Sequence, residues 1–407
     1  MKINVGVMFG GKSTEHDISI ISAIQAINYM DRDKYDVTPI YITKNNEFYI
    51  GENIGKIESY TKLDTLLKES TRVIPVNENG KVNLIRYPMK KFGNNVIASI
   101  DVAFPIVHGT NVEDGTLQGF LSMLNIPYVG CDVTASAVGM DKYVMKTVLA
   151  ENNIPVLSCL RFTSSDFDSS VESMIAKIEE KIGYPVIVKP INLGSSIGIS
   201  KADNKDELYA SLDTAFSYAD KILVERAIIN LKEINCAVLG DYKDAQASEC
   251  EEPVNGDEIL TFENKYMSGS KNAKGAKIGS SKAGSQGMAS LARKIPADIS
   301  ENRREEIRKM AVDAFKCLGC SGVTRIDFMI DMDEDKVYLN EVNTIPGSLS
   351  FYLWEPIGLP YGKLLDNMIN LAFKREREMS ELTFSFDSSV LEGIKLGNPG
   401  GAKGAKL

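Results

Sequence analysis

The chain has 407 residues, of which 43% are hydrophobic and 25% are charged, the composition of an ordinary globular protein with room for two or three domains. Its formal net charge of −9 argues against a nucleic-acid partner, because binding to a phosphate backbone normally requires a basic surface. No apolar run approaches the roughly 20 residues that cross a bilayer, and the first residues do not resemble a signal peptide. We therefore expect a cytoplasmic protein that binds neither nucleic acid nor membrane.

The first part of the chain has the pattern of an α/β domain. Apolar strands are expected at residues 3–9, 35–41 and 100–107, and a helical pattern covers residues 19–29. Strands that alternate with helices favour an open parallel sheet. We therefore expect an N-terminal α/β domain over residues 1–125.

The first strand and the loop after it contain a phosphate-loop pattern. Residues 6–13 match G-x-x-x-x-G-K-[ST], with Lys12 as the lysine. The spacer residues, however, continue the apolar run of a buried strand, whereas a true phosphate loop begins after its strand. A phosphate-loop NTPase is therefore only a minor alternative.

Glu15 follows this loop, at the carboxyl end of the first strand. Open α/β sheets bind ligands at that edge. Glu15 could hold a substrate ammonium group there, or it could cap the start of the next helix. Its position alone does not separate these two roles.

The middle of the chain, residues 126–224, contains two candidate phosphate-binding lysines. Lys142 opens a predicted helix, and Lys189 closes an apolar strand. A loop of small residues that includes Ser195 and Ser196 comes next, and the backbone N–H groups of such a loop can approach a ligand closely. A lysine beside such a loop is typical of a phosphate site.

The third part, residues 225–375, contains a predicted β-hairpin with a carboxylate on each strand. If the hairpin turns near its polar centre, Asp327 lies opposite Glu341, with Arg325 and Asn343 two residues away on the same faces. Facing carboxylates repel each other by roughly 4 kcal/mol at about 4 Å and an effective dielectric constant of about 20. They are either surface acids that face water or ligands of a hard divalent cation such as Mg²⁺.

The histidines and cysteines exclude some other metal sites. There are only two histidines, His16 and His108, so a site built from several histidines is excluded. Of the six cysteines only Cys317 and Cys320 are closely spaced, which is weak evidence for zinc or redox chemistry. We expect all six to be reduced and to pack as small apolar residues.

Two stretches are low in sequence complexity. Residues 267–290 and the end of the chain are rich in glycine, alanine and lysine, so neither can bury enough apolar surface to order itself alone. A long loop inside a compact domain is often a functional lid. We expect a lid over residues 262–294 and a disordered tail over residues 376–407.

Taken together and in this order, the motifs resemble those of ATP-grasp ligases, and most closely those of the D-alanine–D-alanine ligase family. The resemblance extends to about residue 375, and it rests on residues 10–16, 108–115, 140–142, 188–196, 265–266, 325–327 and 341–347. It implies an α/β fold of ATP-grasp architecture that follows the open parallel N-terminal α/β domain. Residues 126–224 would be the central ATP-grasp subdomain, and residues 225–375 the C-terminal one.

The resemblance also implies roles for individual residues. Those that would bind ATP are Lys142, Lys189, Ser196, Glu225, Glu233 and Lys265. Those that would bind two Mg²⁺ ions, for which Mn²⁺ could substitute, are Asp327, Glu341 and Asn343. Those that would hold or activate the amino acids, or tie the lid to them, are Glu15, Ser195, Tyr266, Arg325 and Gly347.

The implied reaction is the ATP-dependent ligation of two D-alanines through an acyl phosphate, for peptidoglycan precursor synthesis. The implied partners are small amino-acid substrates and a second copy of the chain in a homodimer.

The chain departs from the family pattern at several positions. Val112 replaces a glycine, Asn235 stands where many members carry an acid, and residues 348–352 lack the usual Thr and Ser that follow Gly347. Either Ser350 or Tyr352 could take over the role of that Ser in binding the second substrate. The acceptor could therefore be D-serine, D-lactate or another amino acid. A non-catalytic nucleotide-binding regulator is a further alternative, which the retained lysines and acids disfavour.

Overall fold

The computed structural model describes residues 2–194, 196–253 and 293–384. Three of the predicted site residues lie outside these ranges: Ser195, Lys265 and Tyr266. The predicted lid lies outside them up to residue 292, and so does the predicted tail from residue 385 onward.

The N-terminal sheet is only partly parallel. Its strands are β1 (Ile3–Gly10), β2 (Tyr35–Ile42), β3 (Phe48–Ile50), β4 (Thr71–Glu78), β5 (Lys81–Arg86), β6 (Val96–Ile100) and β7 (Val102–Pro105). They lie in the order β6-β5-β4-β3-β2-β1-β7. The parallel part consists of β2, β1 and β7, and the other pairs are antiparallel. Parallel neighbours need a crossover connection, whereas antiparallel neighbours do not. The chain from β2 to β6 therefore reverses direction at each connection and makes no crossover.

The strand predicted over residues 100–107 is in fact divided. Its first residue ends β6 and its middle forms β7, and these two strands lie at opposite edges of the sheet. The predicted strands at 3–9 and 35–41 are confirmed as β1 and β2.

Two antiparallel sheets follow in the chain. The central one has the order β10-β9-β11-β8, formed by β8 (Cys159–Thr163), β9 (Val186–Pro190), β10 (Ser200–Ala202) and β11 (Lys221–Arg226). The C-terminal one has the order β14-β13-β12-β15-β16, formed by β12 (Leu231–Gly240), β13 (Ala245–Pro253), β14 (Arg293–Lys294), β15 (Gly322–Asp331) and β16 (Lys336–Asn343).

Helices cover these sheets. They are α1 (His16–Tyr29), α2 (Leu63–Glu69), α3 (Thr116–Met123), α4 (Val133–Met140), α5 (Lys142–Glu151), α6 (Ser164–Lys181), α7 (Lys205–Phe216), α8 (Glu301–Cys317) and α9 (Tyr361–Ser380). The last helix continues five residues beyond residue 375, so the start of the predicted tail is helical. Within the described ranges, no helix combines the length and the apolar character needed to cross a membrane.

Each sheet has its own hydrophobic core. The N-terminal core also takes in residues from the C-terminal end of the chain, including Leu349, Trp354 and Leu364. Asp366 strengthens this contact, because it accepts hydrogen bonds from Lys34 at 2.5 Å and from the Tyr35 hydroxyl at 2.9 Å. The chain after β16 is thereby fixed against the N-terminal sheet. All six cysteines are free, as the sequence predicts.

Candidate functional site

A cleft lies among the three sheets, and it brings the predicted site residues together. Every predicted site residue that the structure describes lines it: Glu15, Lys142, Lys189, Ser196, Glu225, Glu233, Arg325, Asp327, Glu341, Asn343 and Gly347. Apolar side chains of Ile187, Leu231, Phe328 and Met329 also line the cleft. The cleft can therefore receive a ligand that has both charged and apolar parts.

The hairpin of β15 and β16 has the register that the sequence predicts. Asp327 pairs with Glu341, and Arg325 pairs with Asn343. The Arg325 guanidinium donates two hydrogen bonds to Asp327, from Nε at 2.6 Å and from Nη2 at 2.7 Å. Asn343 donates a third through Nδ2 at 3.1 Å. Burial lowers the pKa of Arg325, but the adjacent carboxylate outweighs this effect, so the pKa lies above its usual value and the guanidinium stays charged.

The hairpin offers oxygen ligands of the kind that a divalent cation prefers. Within the described residues no three His, Cys, Asp or Glu side chains form a metal cluster. The candidate set is instead two carboxylates, Asp327 and Glu341, with the amide of Asn343 beside them. Mg²⁺ commonly uses one or two carboxylates and takes its other ligands from water and phosphate. The residues present therefore fit this ion.

The two lysines predicted to bind phosphate, Lys142 and Lys189, are buried, and the ammonium group of each contacts two other residues. The Lys142 ammonium donates to the Leu193 carbonyl at 2.7 Å and lies 3.4 Å from Glu341. The side chain of Asp141 caps α5 by accepting from two backbone N–H groups, which fixes where Lys142 begins the helix. The Lys189 ammonium lies 2.5 Å from Glu225 and donates to Asn340 at 3.1 Å.

Lys146 is a residue of this cleft region that the sequence analysis missed. Its ammonium lies 2.5 Å from Glu225, so one buried carboxylate is held by two lysines. Burial raises the pKa of Glu225, but Lys189 and Lys146 outweigh burial and hold it below its usual value. The available signal was spacing, because Lys146 follows Lys142 by four residues on one helix face.

Glu15 also lines the cleft and is almost fully buried. It occupies the N-cap position of α1, but its side chain makes no capping hydrogen bond, so the capping role is not observed. Two glycines approach it: a Cβ on Gly194 would come within 2.9 Å of Oε2, and one on Gly109 within 3.0 Å. The loop before Ser195 therefore reaches the Glu15 carboxylate only because residue 194 lacks a side chain.

A polar network behind Glu15 joins the N-terminal domain to the chain after β16. Glu113 accepts from the Gly109 N–H at 3.0 Å and the Ile345 N–H at 2.8 Å, and burial raises its pKa to about 8. His108 is neutral, because burial lowers its pKa to about 4. Its Nδ1 donates to the Ile345 carbonyl at 2.8 Å, and its Nε2 accepts from Ser22 at 2.9 Å. The sequence analysis placed His108 and Glu113 in a motif but gave them no role.

The far end of the cleft, beside Arg325, contains two further charged residues that the sequence analysis missed. Glu251 accepts from Asn235 at 2.9 Å, from Arg293 at 2.9 Å and from the Tyr352 hydroxyl at 3.3 Å. The guanidinium carbon of Arg293 lies 4.0 Å from the centre of the Tyr352 ring. Arg293, Glu251 and Asn235 all line the cleft.

The segment after Gly347 has an unusual backbone. Three consecutive residues, Ser348, Leu349 and Ser350, have positive φ of 51°, 53° and 48°. The Ser348 N–H donates to Ser22 at 3.0 Å, which ties this turn to His108. Ser350 is completely buried, and its hydroxyl has no hydrogen-bond partner within the described residues. Ser350 is therefore badly placed to bind a substrate.

The structure gives no support to a phosphate loop at residues 6–13. All four spacer residues belong to β1, which runs through Gly10. Gly11 then turns sharply with φ of +90° against Val112, one of the departures from the family pattern. Lys12 is exposed and does not line the cleft in the described part of the chain.

Comparisons with known proteins agree with this geometry. Residues 4–131 match the family described as D-ala D-ala ligase N-terminus, and residues 148–370 match D-ala D-ala ligase C-terminus. The chain is 39% identical over 398 residues to the D-alanine–D-alanine ligase of Thermosipho melanesiensis, which covers 97% of this chain and 99% of that protein.

Solved structures show the same likeness. The D-alanine-D-alanine ligase from Coxiella burnetii superposes with a TM-score of 0.76 at 31% identity, over 93% of this chain and 96% of that one. The VanG D-Ala:D-Ser ligase from Enterococcus faecalis superposes with a TM-score of 0.73 at 30% identity, over 91% of this chain and 100% of that one. The three-sheet fold is thus the ATP-grasp fold, and the chain belongs to the D-alanine–D-alanine ligase family.

Proposed function

We propose that this chain joins two D-alanine molecules in an ATP-dependent reaction that supplies D-alanyl-D-alanine for peptidoglycan precursors. The observation that carries the proposal is that one cleft contains Glu15, two buried lysines and the facing pair of Asp327 and Glu341. A carboxylate that binds ammonium, cations for phosphate and oxygen ligands for a metal are the groups that such a ligation needs.

The lysines and the apolar wall serve ATP. Lys142 and Lys189 provide point charges for its phosphates, with Ser196 beside them and Lys265 on the lid. Glu225 and Glu233 provide acceptors for the adenine amino group and the ribose hydroxyls, along the apolar side of the cleft. Two Mg²⁺ ions, or Mn²⁺, held by Asp327, Glu341 and Asn343 would neutralise phosphate charge during transfer.

The ligation itself has two steps. The carboxylate of the first D-alanine attacks the γ-phosphorus of ATP, which forms an acyl phosphate and releases ADP. The amine of the second D-alanine then attacks the acyl carbon, the C–O bond to phosphate breaks, and inorganic phosphate leaves. Glu15 holds the ammonium of the first D-alanine, while Arg325 and the Gly347 N–H stabilise the oxyanion at the acyl carbon. One such donor typically lowers the barrier by about 3 to 4 kcal/mol.

The remaining features of the proposal rest on the family resemblance. Ser195, Tyr266 and Glu15 would tie a closed lid over the first substrate, which keeps water from the acyl phosphate. The enzyme would be a cytoplasmic homodimer.

The test is phosphate release from ATP across a panel of D- and L-amino acids, with each product identified by mass. We expect phosphate release when D-alanine is the only amino acid supplied, and a product with the mass of D-alanyl-D-alanine. Phosphate release without a dipeptide, or no release with any amino acid, would contradict the proposal and favour a nucleotide-binding regulator.

The altered segment at residues 348–352 keeps a second acceptor open. The solved relatives include an enzyme named as a D-Ala:D-Ser ligase, at 30% identity. D-Serine and D-lactate therefore belong in the panel beside D-alanine. A mixed product that exceeds D-alanyl-D-alanine at equal concentrations would identify the other acceptor as the preferred one.

A further inference from the structure

The end of the cleft beside Arg325 contains a second arginine. Arg293 is the first residue of β14, and its side chain is 11% exposed. We propose that Arg293 binds the carboxylate of the acceptor, the substrate whose amine attacks the acyl phosphate, and so restricts the acceptor to small molecules with a free carboxylate. This proposal rests on the ligase function proposed above.

Arg293 is held in a fixed direction by two other side chains. Its Nη1 donates to Oε2 of Glu251 at 2.9 Å, and its guanidinium lies 4.0 Å from the centre of the Tyr352 ring. The Tyr352 hydroxyl donates to the other oxygen of the same carboxylate at 3.3 Å. A charge-assisted hydrogen bond and a cation–π contact together fix the guanidinium plane. A guanidinium fixed in this way loses little freedom when it binds a second carboxylate.

The charges around Arg325 explain why a further cation is needed at this end. Both hydrogen bonds from the Nε and Nη2 atoms of Arg325 go to Asp327. An acceptor carboxylate here would lie near Asp327 and Glu251, and like charges at about 4 Å repel by roughly 4 kcal/mol at an effective dielectric constant of about 20. Arg293 neutralises Glu251 and presents its positive charge to the cleft. Arg293 therefore makes the binding of an anion at this end of the cleft electrostatically favourable.

Tyr352 and Glu251 act through Arg293 and are positioning residues. Of the two residues that the sequence suggested for this role, Ser350 lies in the core, and the Tyr352 hydroxyl is engaged by Glu251. The next residue in β14 provides a contrast. The Lys294 side chain is 50% exposed, and it pairs with Glu252 and Asp298. Arg293 and Lys294 are successive residues of β14, so their side chains lie on opposite faces of the strand, one in the cleft and one in solvent.

Hydroxylamine supplies a direct test, because it attacks acyl phosphates but has no carboxylate. In a mixture of ATP, D-alanine and hydroxylamine, one acyl phosphate divides between dipeptide and D-alanine hydroxamate. The ratio of these products, measured by mass, reports the acceptor step alone, whatever the fraction of active enzyme. We expect Arg293→Met to lower the dipeptide-to-hydroxamate ratio about 10- to 100-fold, the effect of losing a hydrogen bond to a charged group. Hydroxamate formation itself should stay within about twofold of wild type.

Four further variants complete the test. Tyr352→Leu removes the ring under the guanidinium and should lower the ratio about 3- to 10-fold, whereas Tyr352→Phe keeps the ring and should lower it less. The control is Lys294→Met, which should leave the ratio unchanged. If Arg293→Met does not fold, Arg293→Lys and Tyr352→Leu decide the question by the same ratio.

An unchanged ratio in the arginine variants would overturn the inference, whether the amounts of dipeptide and hydroxamate stay the same or fall by one common factor. If wild-type protein forms neither product, the proposed ligase function has failed instead.

Discussion

The Lys146 ammonium lies 2.5 Å from Oε2 of Glu225, and both side chains are at most 3% exposed. Lys189 lies equally close to the other oxygen of this carboxylate. The three side chains connect α5 to two neighbouring strands of the central sheet, β9 and β11. The buried Glu225 carboxylate and its two cations therefore fix the position of Lys189, one of the two lysines that we propose to bind phosphate.

Lys146→Met should lower the free energy of unfolding by about 2 kcal/mol, because Glu225 loses one of its two buried charge-assisted contacts. Glu225 would keep Lys189 as its remaining cation. Thermal or urea denaturation measures the loss. The matched control is Lys181→Met, since Lys181 is 57% exposed and, among the described residues, pairs only with its neighbour Glu180. That control should change stability by no more than about 0.5 kcal/mol. Equal stability of the two variants would show that the buried lysine contributes nothing.

Asp327→Asn and Glu341→Gln should each reduce turnover at least about 1,000-fold in protein that still folds. Both changes keep the shape of the side chain but remove a negative charge that we propose to hold Mg²⁺. The measurement is ATP-dependent phosphate release at saturating D-alanine and Mg²⁺. Asp335→Asn is the control, because Asp335 lies in the turn of the same hairpin at 86% side-chain exposure and has a positive φ that Asn tolerates. Near-normal turnover in both acid variants would remove the metal assignment.

Gly194→Ala should impair binding of the first D-alanine more than it impairs folding. The added Cβ would come within 2.9 Å of the Glu15 Oε2, and that oxygen is the end of a flexible side chain that can move away. The fold can therefore adjust at little cost, but the carboxylate would leave the position from which we propose that it holds the substrate ammonium. We expect kcat/KM for D-alanine to fall at least tenfold, by the loss of about 1.4 kcal/mol of binding.

The control for this change is Gly119→Ala. Gly119 lies in α3, and a Cβ there would meet no atom of the described residues within 4 Å. Alanine favours a helix over glycine by up to about 1 kcal/mol, so this variant should be slightly more stable and fully active. A Gly194→Ala enzyme with normal kcat/KM would argue against the role proposed for Glu15.

The hairpin was predictable because its information is local. Alternation along β15 and β16 and a polar turn between them predict that Asp327 faces Glu341, and the structure has that pair, with a register shift between Asp327 and Phe328 that separates it from the pairs nearer the turn. Lys146, Glu251 and Arg293 were not predictable in this way. Their partners lie 79 residues away for Lys146 and 42 residues apart for Arg293 and Glu251, so only the tertiary fold brings them together.

The sheet order shows a similar limit of sequence reasoning. The apolar run over residues 100–107 looked like one buried strand, because both of its halves are apolar. The structure divides it at Asp101, whose carboxylate accepts from the backbone and side chain of Asn4 at 2.8 Å. This contact across 97 residues ties the crossing from β6 to β7 to the start of β1. Hydrophobic periodicity cannot locate such a crossing.

Glu113 should make the stability of the folded protein depend on pH in a way that Glu113→Gln removes. Burial raises the pKa of this carboxyl from its ordinary value of 4.5 to about 8. Between these two values the folded protein keeps a proton that the unfolded chain has lost, so each rise in pH favours unfolding. The stability associated with this group is thus fully present below pH 4.5 and is lost as the pH rises towards 8.

Glutamine cannot lose that proton, so the comparison isolates the effect of ionisation. The free energy of unfolding of wild type minus that of Glu113→Gln should decrease by up to about 1.4 kcal/mol per pH unit across this interval. Urea denaturation at several pH values measures the difference. A change in stability that the glutamine amide causes equally at every pH does not affect the slope of this difference against pH. A difference that stays flat from pH 4.5 to 8 would show that Glu113 is already ionised in the fold, where the Gly109 and Ile345 N–H groups and the Thr344 hydroxyl donate to it.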